Sequence, residues 1–251
     1  MGTHLNKKTL SQLIAVAACA AAIKLYYSAS GVDDLFWVLA PTTWLVEVAT
    51  GVNFSYESNA GYMSADHSFQ IAASCSGVNF LITAFLMMAL AELWRNRQRG
   101  MRWHIIPLTL GVAYVTTIIA NTVRITTAMY IRHDPQLIWV NPDELHRLEG
   151  IVVYFGILLL LYFVIETSGA DRRPRADWYL LRHSIFPLMI YYATTLGIPA
   201  VNLAIRSGPI PAEFWRHCLF VLFTPILLLL PLATLGFAKA QRNALSFGRL
   251  H

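Results

Sequence analysis

The chain has little charge. Asp, Glu, Lys and Arg make up 13% of its 251 residues, about half of what a soluble domain carries, too little to clothe a water-facing surface. Cysteine is scarce as well. The three are Cys19, Cys75 and Cys218, and Cys19 and Cys218 lie inside apolar runs, which excludes a disulfide framework. There is no internal repeat and no low-complexity segment, so solenoids and compositional linkers are excluded. No pair of His or Cys residues has a recognised metal-ligand spacing. Lys and Arg are missing altogether from residues 28–77.

Apolar sequence takes up what charge leaves. Hydrophobic residues reach 56% and the mean hydropathy is +0.51. The apolar runs are continuous rather than alternating, which excludes a transmembrane β-barrel. Several are long enough to cross a bilayer core of about 30 Å. Six spans are predicted, over roughly residues 9–27, 78–94, 104–124, 146–166, 184–205 and 214–236. The net charge of +5 is not a nucleic-acid signal, because the basic residues cluster in short loops between spans, as the positive-inside rule requires. Val16-Ala17-Ala18-Cys19 faintly resembles a lipoprotein cleavage box, but the apolar stretch before it is short and five spans follow.

Residues 34–52, "DLFWVLAPTTWLVEVATGV", are long enough to cross but carry Asp34, Pro41 and Glu47. Charge parity decides. If the segment does not cross, Lys7, Lys8, the loop "RNRQRGMR" (95–102), the loop "DRRPRADWYLLR" (171–182) and the tail with Lys239 and Arg242 all share one side, the cytoplasm. The segment is therefore expected to be an interfacial or re-entrant helical hairpin, broken at Pro41, on the outer face. In residues 52–74, Val52, Phe54 and Tyr56 alternate with polar residues, as do Phe69, Ile71 and Ala73, around a turn at Asn59-Ala60-Gly61. That pattern predicts a short β-hairpin, lying at the surface because its edges need partners.

With this topology three residues share the outer level: Cys75 at the start of the second span, Arg124 near the end of the third and His146 at the start of the fourth. Singly, Cys75 reads as an inert small residue, Arg124 as a cation snorkelling to headgroups and His146 as a satisfied interfacial histidine. Together they are a candidate site, since ionisable groups beside spans are costly. A thiolate is the attacking form of cysteine and is favoured at a helix N-terminus or beside a cation. The peptide N–H groups around Gly77 to Asn79 can hold a thiolate or an oxyanion, and Gly77 admits close backbone approach. His146 suits acid/base work. Arg124 suits electrostatic stabilisation, because it keeps its proton. Asn121, one turn before Arg124, shares its face and can fix Arg124 or contact substrate.

"CSGVNF", "NTVR" and "HRLEG", in this order in a multi-spanning chain, resemble the exosortase/archaeosortase family of membrane-embedded cysteine transpeptidases. Residue by residue, Cys75 matches the proposed nucleophile, Arg124 the essential arginine and His146 the general acid/base. Ser76, Gly77 and Asn121 match accompanying motif positions. The resemblance covers residues 50–165, and the short chain and hairpin-like lead-in are most similar to the compact exosortase K type. It implies substrates that are exported proteins ending in a short motif, one transmembrane helix and a basic cluster. These are cut at the extracytoplasmic face and passed through a Cys75 thioester to a lipid or glycan acceptor. No cofactor and no metal are implied. The expected setting is the inner membrane of a prokaryote, with both termini cytoplasmic.

The expected fold is an all-α polytopic membrane protein with about six transmembrane helices, the outer helical hairpin and the β-hairpin before Cys75. The chain is read as one membrane domain over 1–251. Two other readings compete. A metal-dependent membrane hydrolase would draw on Asp66, His67, Cys75, Asp143, Glu144 and His146, although Asp66-His67 reads better as a solvated hairpin end and Asp143 and Glu144 as helix-start charges. A transporter or non-catalytic partner would place its polar site at the midplane. Glu149 and Glu166 flank the fourth span, and Glu149 reads as structural.

Overall fold

A computed structural model describes residues 6–132, 142–168, 179–205 and 212–247. The loop 171–178 lies outside them, as do the side chains of Asp143, His146, Lys239 and Arg242. Six helices are long and apolar enough to cross a membrane: Lys7–Ala29, Ala73–Arg95, Ile105–Ile131, Arg147–Thr167, Arg182–Val201 and Phe214–Pro231. These are the six predicted spans, with ends shifted by a few residues. The third shift matters most, because that helix continues to Arg132 and Arg124 stands two turns inside its end.

Two compact units form, residues 1–149 and 150–251. In the first, α1 (Lys7–Ala29) and α4 (Ile105–Arg132) both pack on α3 (Val78–Arg95). The most apolar stretch of α3 is 67% buried, against 22% for α1 and for α4, so α3 is the core of this unit. Phe80, Leu81, Ala84, Phe85, Met87 and Met88 are all buried on it. The start of α1 is clipped to the loop after α3. Gln12, fully buried, donates from Nε2 to the Met101 carbonyl at 2.7 Å and accepts from the Met101 N–H at 3.1 Å. Thr9 Oγ1 donates to the Arg97 carbonyl, and Asn6 Nδ2 to that of Gln98. Both loop backbone groups at Met101, buried away from water, are satisfied by one amide.

At the other end of α1, Lys24 Nζ donates to Asn79 Oδ1, in the first turn of α3, at 2.9 Å. The two helices are therefore antiparallel, and residues 30–77 leave and return at the same end. Among its described residues no helix is long and apolar enough to cross. Its helix α2 (Phe36–Thr50) has 15 residues, a length of about 22 Å at 1.5 Å per residue, short of a bilayer core. Val38, Leu39, Thr42, Thr43 and Val46 bury one face as α2 packs on α4, and Trp37 and Trp44 are exposed.

The break expected at Pro41 does not occur; α2 runs through it as one helix. Proline removes the N–H that would bond to the carbonyl four residues back, at Trp37. The Tyr114 hydroxyl, from α4, donates to that Trp37 carbonyl at 2.7 Å, and the Trp37 and Tyr114 rings stack at 5.7 Å. A neighbouring helix thus replaces the missing bond, and the helix needs no break.

The β segment has one more strand than alternation suggested. β1 (Phe54–Glu57), β2 (Gly61–Ser64) and β3 (Gln70–Ile71) form an antiparallel sheet in the order β1-β2-β3. The turn at Ser58–Ala60 is where expected, but a second turn at Ala65–Phe69 carries Asp66, which accepts from Ser64 Oγ at 2.7 Å and Ser68 N–H at 3.2 Å. Asp33, in a short 3₁₀ turn before α2, clamps the first turn. Its carboxylate accepts from Tyr56 Oη at 2.6 Å, from Asn59 N–H at 3.0 Å and from Ser58 Oγ at 3.2 Å. Glu47 of α2 accepts from the Phe54 N–H at 2.8 Å. Asp33 thus holds the turn, and Glu47 closes the start of β1, whose N–H would otherwise need water or another partner.

The second unit contains the rest of α5 (Pro142–Ser168), α6 (Tyr179–Tyr192), a π turn at Ala193–Gly197, α7 (Ile198–Ile205) and α8 (Ala212–Phe247). Aromatic pairs join α5 to α6: Phe155 with Tyr191 at 5.4 Å and Tyr162 with Phe186 at 5.6 Å. Glu166 and His183 approach to 3.9 Å. Tyr192 Oη donates to the Leu222 carbonyl at 2.7 Å, three residues before Pro225, in a turn the proline loosens. Thr194 and Thr195 donate to carbonyls of the preceding turn, which satisfies groups that a π turn displaces.

Candidate active site at the start of α3

The site begins where β3 ends. Ala73–Cys75 form a 3₁₀ turn, Ser76 follows, and Gly77 takes the left-handed conformation at φ 70° before α3 opens at Val78. A side chain at Gly77 would be strained by that φ and would meet Thr117 Cγ2 at 3.1 Å and Asn121 Cγ at 3.3 Å. Glycine is required here twice over: for the turn, and because α4 crosses directly behind it. Among the described residues no side chain caps the first turn of α3, so its first peptide N–H groups stay available and the positive end of the helix dipole faces the Cys75 turn.

Asn121, on α4 and fully buried, donates from Nδ2 to the Cys75 carbonyl. This one bond ties "CSG" to "NTVR" across 46 residues of sequence. It occupies the main-chain oxygen of Cys75 and holds the turn in which the thiol stands. Cys75 itself is half-buried and is a free thiol. Ser76 is fully buried, and among the described residues its hydroxyl has no hydrogen-bond partner. Arg124, half-buried, lies three residues beyond Asn121 on the same face of α4, about 4.5 Å further along the helix by its rise. It stands two turns inside the end of α4.

His146 lies on the first turns of α5; its side chain is outside the described residues. Glu149, one turn on, is buried. The structure thus brings together Cys75, Gly77 and Asn121, places Arg124 one turn after Asn121 on α4, and joins Asn79 to Lys24. Asp66 and His67 are occupied by the sheet turn, where His67 has φ 55°. Among the described residues, no three His, Cys, Asp or Glu side chains gather as metal ligands would.

Sequence reasoning passed over Lys24. It belongs to the last turns of a predicted span, and an ionisable group there is a candidate by default. That rule alone was the signal, because no spacing links residue 24 to residue 79.

The family model described as transmembrane exosortase (Exosortase_EpsH) matches residues 36–163, which contain α2, the sheet, α3, α4 and most of α5. The chain belongs to the transmembrane exosortase family. The match covers every motif on which the resemblance was drawn, from Cys75 to His146. Neither the comparison with curated proteins nor that with solved structures gives a match. Membership supports, in general terms, a multi-pass, membrane-embedded sorting transpeptidase that acts on exported proteins.

Proposed function

We propose that the chain cleaves C-terminal sorting tails of exported proteins and transfers the new carboxyl end through a thioester on Cys75. The observation that carries this reading is the Asn121 bond to the Cys75 carbonyl, which joins two family motifs at an uncapped helix start. In this reading the Cys75 thiolate attacks the scissile carbonyl. Peptide N–H groups of Gly77 to Asn79 and the Asn79 amide donate to the oxyanion. Arg124 stabilises the developing charge or orients the carbonyl, and Asn121 and Gly77 hold the turn. His146 protonates the leaving amine and later deprotonates the acceptor.

The tail carries a short motif, one apolar helix and a basic cluster, and the acceptor is a lipid or a glycan. The site faces outward from the inner membrane of a prokaryote, with the basic loops on the cytoplasmic side, and the whole chain acts as one membrane domain. The short chain and the sheet leading into Cys75 fit a compact exosortase K type.

The test is co-expression with candidate tailed proteins. Cys75→Ala is expected to abolish processing at unchanged membrane abundance, and His146→Ala to accumulate the thioester on Cys75. Full processing by Cys75→Ala overturns the nucleophile assignment. A membrane-impermeant thiol reagent is expected to label Cys75 from outside; labelling only from the cytoplasmic side reverses the topology.

A further inference from the structure

We propose that Lys24 is a positioning residue for acyl transfer at Cys75: its bond to Asn79 fixes that amide as a hydrogen-bond donor to the oxyanion formed on the attacked carbonyl. The proposal rests on the reading of Cys75 as nucleophile and adds to it a residue from a helix that carries no family motif.

One hydrogen bond sets the direction of the Asn79 amide. A lysine ammonium only donates, so the atom of Asn79 facing Lys24 Nζ at 2.9 Å is its carbonyl oxygen. The amide NH₂ is then turned away from Lys24, and among the described residues nothing accepts from it. Asn79 is the second residue of α3, so its side-chain donor belongs to the same turn as the unbonded peptide N–H groups.

The place of the ammonium is itself unusual. A cation beside the N-terminus of a helix is set against the helix dipole, and a lysine inside a span is costly. Among the described residues no carboxylate pairs with Lys24, and the first turn of α3 contains no acidic residue. Nor is the side chain simply reaching for headgroups: it is folded onto Asn79 and over the Tyr27 ring, 5.3 Å from its centroid. Among the described residues the buried hydroxyl of Ser76, which closes the Cys75 turn just before α3, has no partner. A cation against a positive helix end and a polar group without a partner are both relieved when negative charge forms there.

An ester probe tests this without knowledge of the tail. With p-nitrophenyl acetate, the Cys75 sulfur bonds to the carbonyl carbon and the C=O electron pair moves to oxygen. Collapse expels p-nitrophenolate, the thiol proton goes to buffer, and an acetyl thioester remains. Iodoacetamide alkylates the same sulfur by displacing iodide and forms no oxyanion. Both rates are measured on the full chain in detergent, at the Cys75 peptide by mass spectrometry, with Cys75→Ala as background.

The ratio of acylation to alkylation is expected to fall about a hundredfold in Asn79→Ala and about tenfold in Lys24→Met, in line with loss or misdirection of an oxyanion donor. Lys24→Arg, also a pure donor, is expected to keep the wild-type ratio. An unchanged ratio in Lys24→Met overturns the proposal, as does a parallel fall of both rates, which marks a structural role. Absence of Cys75 acylation in the wild type overturns it too. If the ratio is unchanged while tail processing still requires Cys75, only the role of Lys24 fails.

Discussion

Residues 1–149 and 150–251 solve the same problem, helix packing in lipid, by different means. The first unit is tied by polar side chains that reach across long stretches of sequence to backbone groups: Gln12 to Met101, Tyr114 to Trp37, Asn121 to Cys75. In the second, hydroxyls mostly serve their own helix, as with Thr194 and Thr195, and helices meet through aromatic rings. Such rings adapt, whereas a hydrogen bond to a buried carbonyl is lost when the donor moves by more than a few tenths of an ångström. The unit that holds Cys75 uses the contacts that fix register, and the unit with prolines and a π turn uses the contacts that tolerate bending.

The contrast is broken most severely at Gly77. Gly77→Ala meets strain of about 1–3 kcal/mol from its positive φ and pushes on Thr117 and Asn121. Tail processing is expected to be lost while the protein still reaches the membrane; wild-type processing would mean the Cys75 turn is not held by this contact.

Next in size is the clip. Gln12→Ala leaves the buried N–H and C=O of Met101 without partners, at about 1–3 kcal/mol for each buried group. Thermal unfolding in detergent should register a clear drop. Thr195→Val in the second unit removes one hydroxyl bond, and about 0.6 kcal/mol is the expected loss. Equal losses in the two variants would erase the distinction between the units.

Tyr114→Phe strips the Trp37 carbonyl of its replacement donor, an expected loss of about 1 kcal/mol. Adding Pro41→Ala is expected to recover it, because alanine at 41 supplies the missing N–H. A double variant no more stable than Tyr114→Phe would show that the hydroxyl was not standing in for the backbone.

The smallest effect is on the sheet. The Tyr56 hydroxyl, then the Asn59 N–H, hold the Asp33 carboxyl below its ordinary value of 3.8. The clamp is thus fully present above about pH 4 and lost as pH falls through the lowered value. Tyr56, pushed up to about 12 by Asp33, sets the alkaline limit: its contribution is intact below the ordinary tyrosine value of 10.0 and lost as pH rises toward 12. Protease cleavage within residues 52–74 should rise at both extremes, and Asp33→Asn should flatten the acid limb. A cleavage profile flat in pH for the native chain would remove Asp33 as the clamp.

Much of this was legible in the sequence. Apolar run length marks spans directly, because lipid offers no other partner for the backbone, and charge parity argued against residues 34–52 as a span. The approach of Cys75 and Asn121 was readable from motif order and span direction. Other features depend on contacts that leave no local trace. Pro41 predicts a break unless a tyrosine 73 positions away supplies a donor, and β2, Gly61–Ser64, has no alternation to announce it. Arg124 appeared terminal because polar Thr126 and Thr127 masked the continuation of α4. Lys24 acquires meaning only from Asn79, which folding alone brings near.

The helix α1 is fastened at Gln12 to the basic loop and at Lys24 to the turn after Cys75. Twelve residues of helix separate the fastenings, about 18 Å at the helical rise. A strut of fixed length between a charged loop and the Cys75 turn works as a depth gauge. Wherever headgroups hold the loop, the thiol stands at a set height in the bilayer. Lipid thickness then enters the chemistry as a variable: longer acyl chains carry the opposite surface beyond the thiol, and shorter ones leave it in water.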